Sequence, residues 1–171
     1  DLDGTLLTTD KKISARNERV LKQLSAQGIK VVLCTGRPIN AIWKYIEQLG
    51  LTGADDYTIT FNGALVIQNP DRQVLAKQGM NKDNLALLHD FCVQGGYPLD
   101  VLDFEQVYPL TDLTPSVYQK MLNANIAFVP KSYADLKEQP YSKVVMATDS
   151  EILDHVTQEI TPAMAAQYHI V

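Results

Sequence analysis

Ile29-Lys30-Val31-Val32-Leu33-Cys34-Thr35-Gly36-Arg37-Pro38 reads as a strand that runs into a loop and then a helix. Its first six residues are nearly all apolar, the pattern of a buried parallel strand rather than of one with a wetted face. Upstream, Ile13 to Gln27 carries Val20, Leu21 and Leu24 on one face, with Ser14 placed to cap its start and Gly28 just past its end. Downstream, Ile39, Ile42, Trp43, Ile46 and Leu49 recur at helical spacing, and Gly50 closes the run. Tyr57 to Phe61 is β-branched and aromatic and reads as the next strand. Helix and strand in alternation predict an α/β chain, a parallel sheet flanked by helices with right-handed crossovers.

The texture changes near residue 62. Ala64 to Gln68 and Gln73 to Gln78 flank Asn69-Pro70-Asp71-Arg72, four turn-forming residues, and so predict a hairpin. Asp83 to Gln94 is a helix candidate that ends at Gly95-Gly96. Leu99 to Phe104 and Val107 to Leu110 form a second strand pair, Pro115 to Leu122 a short helix, and Ser142 to Thr148 another strand. Asp149 or Ser150 can cap a helix through Ile152, Leu153 and Val156, which Pro162 should break or restart. His169-Ile170-Val171 reads as the start of a strand. Residues 62 to 80 are the expected domain junction.

The 171 residues are 46% hydrophobic and 20% charged, enough for one domain and part of a second with a real core. Fifteen basic against twenty acidic residues leave a net charge of −5. That balance offers no basic stripe to neutralise phosphates, so nucleic acid is not an expected partner. No apolar run approaches the roughly 18 residues of a membrane span, and no secretory signal is visible. Cys34 and Cys92 lie far apart in apolar surroundings, which predicts two buried thiols in a reducing, cytoplasmic compartment.

Three short segments carry chemistry. In Asp1-Leu2-Asp3-Gly4-Thr5, two carboxylates at i and i+2 lie on one side of a strand and can converge where its end begins to turn. Such a pair either shares a proton or holds a cation. With Mg²⁺ bound, one carboxylate can act as nucleophile and the other as acid and base. The plain alternative is a polar turn, with Gly4 letting the chain bend. Thr35-Gly36-Arg37-Pro38 sits where an open α/β sheet binds its ligand, and offers a hydroxyl, an unobstructed N–H and a guanidinium to a phosphate. An ordinary helix start capped by Thr35, with Pro38 in the first turn, reads equally well. Asn62-Gly63 is either a hairpin turn or the side of the phosphate pocket. His89 reads as a surface or packing residue, and His155 and His169 lack partners at metal spacing.

Taken in order, Asp1-Leu2-Asp3-Gly4-Thr5-Leu6-Leu7, Val31-Val32-Leu33-Cys34-Thr35-Gly36-Arg37-Pro38 and Thr60-Phe61-Asn62-Gly63-Ala64 resemble the haloacid dehalogenase superfamily, and within it the Cof-type sugar-phosphatase branch. The motifs cover residues 1 to about 80; beyond that the likeness rests on pattern. The resemblance implies a Rossmann-like parallel-sheet core, present in part over residues 1–80, and an inserted α/β cap domain over residues 81–171, also in part.

It also implies a phosphatase acting on small phosphorylated metabolites through an aspartyl phosphate. Asp1 would be the nucleophile and Asp3 the general acid and base. Mg²⁺ would be held by the Asp1 carboxylate and the Asp3 backbone carbonyl. Leu2, Thr35, Gly36, Arg37 and Asn62 would line the phosphate site. The family's lysine and its acidic Gly-Asp-x-x-Asn-Asp-like run are absent here and are expected beyond Val171, with an apolar strand before Asp1. The stretch is therefore expected to be a piece of a longer chain and inactive alone. Two other readings stand beside this one: a module that binds a phosphate ester without turning it over, and a phosphotransferase or mutase. A second copy of the chain is a candidate partner.

Overall fold

Ser14 accepts a hydrogen bond on its hydroxyl from the Asn17 N–H at 3.2 Å, and that cap starts helix α1, Ala15–Ala26. Strand β1, Leu33–Cys34, follows, then helix α2, Ile39–Leu49, which Gly50 ends in the left-handed conformation. Strands β2, Tyr57–Thr60, β3, Leu65–Gln68, and β4, Gln73–Lys77, complete the first unit. The computed structural model describes residues 1–122 and 126–171. Its chain contacts form two compact units, Asp1–Gly79 and Met80–Val171.

In the first unit one sheet runs β1-β2-β3-β4. β1 pairs parallel with β2, Leu33 opposite Thr58, and the remaining pairs are antiparallel. α2 buries the face predicted for it: Ile42, Ile46 and Leu49 are sealed, with Tyr45 beside them. β3 alternates cleanly, Leu65 and Ile67 inward.

Several expectations fall short. The run from Ile29 contributes two strand residues rather than six, and Ile29 and Val32 are 50% and 43% exposed. β1 lies at the edge of its sheet, with one partner, so only Leu33 finds cover. α1 buries none of its residues completely. Cys34 is exposed and Cys92 is buried, so only one of the two thiols is sealed, and both are unpaired.

The second unit opens with helix α3, Lys82–Gly95, started by Asn81 and Asn84, each of whose side chains accepts from the other's backbone N–H. Strands β5, Asp100–Leu102, and β6, Gln106–Pro109, pair antiparallel. Helix α4, Tyr118–Met121, is shorter than the Pro115–Leu122 expected; Ser116 lies outside it, donating its hydroxyl to Asp100 and accepting from the Tyr118 N–H at 3.0 Å. Strand β7, Ala127–Phe128, was not foreseen; it adds parallel to β6. Strand β8, Lys143–Val145, pairs with β5, giving the order β7-β6-β5-β8. Helix α5, Ser150–Glu159, follows Asp149, and Pro162 opens helix α6, Pro162–Gln167, with Thr161 as its cap.

The final His169-Ile170-Val171 forms no strand: these residues are exposed and have no neighbouring edge to pair with among the described residues. Leu85, Leu88, Cys92, Val101, Tyr108 and Tyr141 belong to this unit's main core. His89 packs on Tyr133, ring centroids 4.3 Å apart, and its Nε2 lies 2.9 Å from Asp112.

Candidate functional site

The segment Leu2–Leu6 is not a strand but a wound turn. Asp3 is extended, Gly4 has φ +71°, and the Leu7 N–H closes back on the Leu2 carbonyl at 2.9 Å. Leu2 is completely buried and anchors the turn, leaving Asp1 and Asp3 exposed on either side of it. The expected convergence at a strand end is thus replaced by a turn pinned through its middle residue. The Thr5 hydroxyl donates to Asp1 Oδ2 at 3.0 Å, bracing that carboxylate from within the turn.

Asp3 is gripped more firmly. Arg37 Nε donates to Oδ2 and Arg37 Nη2 to Oδ1, both at 2.7 Å, a two-pronged pair. Lys11 Nζ donates to Oδ1, also at 2.7 Å. The Arg37 bonds foremost, against partial desolvation and with Lys11 assisting, pull the Asp3 pKa down to about 2, so the carboxylate is ionised at neutral pH. The same contact with Asp3 raises the Arg37 pKa.

Thr35 and Asn62 join this corner through the backbone. The Thr35 N–H donates to the Ile59 carbonyl at 3.0 Å, extending the β1–β2 pairing into the loop. The Asn62 N–H donates to the Thr35 carbonyl at 3.3 Å, and the Phe61 N–H to the Arg37 carbonyl at 3.4 Å. Phe61 and Asn62 both have positive φ, at 52° and 58°. Gly36 lies so close to Asn62 that a Cβ there would run into the Asn62 side-chain oxygen.

For Asn62-Gly63 the hairpin reading is the one the backbone shows. It lies in a hairpin connection, Phe61 to Ala64 rather than a two-residue turn, and it rests against the Thr35–Arg37 loop. Thr35 does not cap α2. Its hydroxyl accepts from the Arg37 N–H at 3.2 Å, and the helix starts after Pro38, which takes the cap position rather than the first turn.

Asp3, Arg37, Thr35, Gly36 and Asn62 are thus linked through contacts between three loops, and Leu2 anchors the turn beneath. Lys11 was missed. It sits with φ +57° in the short hairpin closed by Leu7 and Ile13, and only its placement in space shows what it meets. Arg37, expected to face a phosphate, faces Asp3.

The oxygen donors of the turn, the Asp1 carboxylate and the Asp3 backbone carbonyl, suit Mg²⁺, a hard cation that takes one or two protein oxygens and keeps several waters. The Asp3 carboxylate itself is engaged by its two cations. Among the described residues no group of three or more His, Cys, Asp or Glu side chains converges to hold a metal. Among them, too, no helix is long and apolar enough to cross a membrane.

Comparison with known proteins agrees with this architecture. A family model described as haloacid dehalogenase-like hydrolase matches residues 1–171. YxeH of Bacillus subtilis (strain 168), provisionally named a phosphatase, is 30% identical over 177 residues, covering 100% of this chain and 64% of its own length. The chain thus spans less than two thirds of that relative. A haloacid dehalogenase-like hydrolase from Bacteroides thetaiotaomicron superposes with a TM-score of 0.77 at 24% identity, over 98% of this chain and 63% of that one. The subclass IIB sugar phosphatase BT4131 gives 0.72 at 20% identity, over 92% and 60%. These structural likenesses concern the fold.

Proposed function

The chain belongs to the haloacid dehalogenase-like hydrolases, and from that premise we propose that the protein is a Mg²⁺-dependent phosphatase of small phosphorylated metabolites, working through an aspartyl phosphate. One observation carries the reading: three loops distant in sequence meet through the Asp3–Arg37 pair and the Thr35–Asn62 contacts. In this reading residues 1–80 are the N-terminal part of the catalytic core, and residues 81–171 belong to a cap that reads the leaving group. The unpaired cysteines suit a cytoplasmic setting.

Asp1 attacks phosphorus and forms the new P–O bond as the bond to the substrate's alcohol breaks. Asp3 gives the departing oxygen its proton, then takes one from the water that releases phosphate from Asp1. The Thr35 hydroxyl and the Gly36 backbone hold phosphoryl oxygens, with Asn62 alongside. A Mg²⁺ held by the Asp1 carboxylate and the Asp3 carbonyl would supply positive charge to offset that of the phosphoryl group. Asp3 paired as it is here is the ionised, base form. The acid step needs a proton on the same carboxyl, so Arg37 turns from Asp3 to the phosphoryl oxygens as substrate binds. Its two duties are sequential.

The test is phosphate release by the whole protein from a panel of sugar phosphates and other phosphate monoesters, with Mg²⁺ and with chelator. Asp1→Asn should lower kcat on the order of 10³-fold or more, as loss of a covalent nucleophile does. Full activity in that variant would refute the mechanism. Transfer of the phosphoryl group to a sugar hydroxyl, in place of free phosphate, would identify a phosphotransferase.

A further inference from the structure

Lys11 occupies a backbone position that its residue type does not favour. Its φ of +57° is the left-handed conformation, which glycine or asparagine takes most readily. The surrounding hairpin is tightly built. The Lys11 N–H donates to the Thr8 carbonyl at 2.9 Å, the Thr8 N–H to the Lys12 carbonyl at 2.9 Å, and the Lys12 N–H to the Thr8 hydroxyl at 3.2 Å. From α2, the hydroxyl of the buried Tyr45 donates to the Lys11 carbonyl at 2.7 Å. Lys11 is therefore held in a strained conformation from both sides, and its ammonium ends on Asp3 Oδ1. A turn that needed only its backbone would be served better by a residue without that strain.

We propose that Lys11 is a positioning residue for Asp3, and that Tyr45 acts behind it as the strut that aims it. This rests on the phosphatase reading for its consequence, though not for its geometry. Arg37 and Lys11 share Asp3 Oδ1. When Arg37 turns to the phosphoryl oxygens, Lys11 is the donor that stays and keeps the carboxyl aimed along the path of the proton. Lys11 itself does not touch the substrate.

The test compares Lys11→Asn with Lys11→Arg in the whole protein. Asparagine accepts the left-handed backbone and removes the ammonium; arginine keeps a cation within reach. Lys11→Asn should hold or raise Tm while cutting kcat roughly tenfold, with KM within about twofold. Lys11→Arg should restore most of kcat. A rise in KM alone would mean that Lys11 binds substrate, and an unchanged kcat would mean that it does nothing for Asp3; either overturns the proposal. A fall in Tm together with kcat would mark a merely structural residue.

Crystal structures of the two variants keep the geometry testable without turnover. With Arg37→Gln added to both variants to remove the other grip, the Asp3 carboxylate should leave its single orientation beside Lys11→Asn and keep it beside Lys11→Arg; an unmoved carboxylate beside Lys11→Asn overturns the proposal. Asp1→Asn separates the two failures, since its activity bears on the nucleophile and not on how Lys11 holds Asp3.

Discussion

Asp3, on the wound turn of the first unit, stands in water and is gripped by two cations. Asp100, in β5 of the second unit, is sealed from water, accepts a hydrogen bond from the Ser116 hydroxyl on Oδ2, and has no partner for Oδ1 among the described residues. The same side chain meets opposite electrostatics. Arg37 first and Lys11 with it draw the Asp3 pKa from its ordinary 3.8 to about 2. Burial pushes Asp100 the other way, and the Ser116 bond only partly offsets it. Surroundings, not residue type, decide which carboxyl is held as an anion: the exposed one is the paired, functional candidate, and the buried one is a cost that the second unit's fold carries.

The largest effect that would sharpen this contrast lies at Asp100. An acid whose pKa is raised in the folded state stabilises most below its unfolded value near 3.8, and loses stability as pH climbs from there towards the folded value. Asp100→Asn removes that loss while leaving a hydrogen-bonding partner for Ser116. The variant should match the parent near the unfolded value and exceed it by a margin that widens as pH rises to neutral. Thermal unfolding across pH 4 to 8 checks it; parallel curves would mean that Asp100 is ionised in the fold at no cost.

Gly36→Ala comes next. Its Cβ would strike the Asn62 side chain, which has to swing away from the Thr35 loop. A stability loss of about 1 kcal/mol is expected, as for modest overpacking. Binding of inorganic phosphate by the whole protein, followed by calorimetry, should weaken as well. Unchanged phosphate binding would separate Asn62 from the pocket.

The smallest effect on stability belongs to the pair that matters most for chemistry. Arg37→Gln should let the Asp3 pKa climb back towards 3.8, read by NMR titration of its carboxyl carbon. Because the folded pKa is depressed, the pair stabilises above about pH 4 and its contribution fades as pH falls towards 2. Since Asp3 is exposed, the stability difference should stay under about 1 kcal/mol and shrink in salt. An Asp3 pKa left near 2 in this variant would transfer the whole grip to Lys11.

Much of this was open to a reading of the residues alone. The helical spacing of Ile39, Ile42, Ile46 and Leu49, the Ser14 cap, the turn at Asn69 to Arg72 and the restart at Pro162 are each written within a few neighbouring residues. So were the candidate site residues Asp1, Asp3, Thr35, Gly36 and Asn62, because the short motifs that contain them are local patterns. Only the tertiary structure decided that Arg37 turns to Asp3 and that Lys11 joins it. It likewise decided that Val32 lies open just ahead of an edge strand while Asp100 is shut away. Caps and periodicities act over one or two turns of chain, so a short stretch contains their cause. The partner of a guanidinium 34 residues from a carboxylate depends on where two loops end in space, and no local stretch contains that.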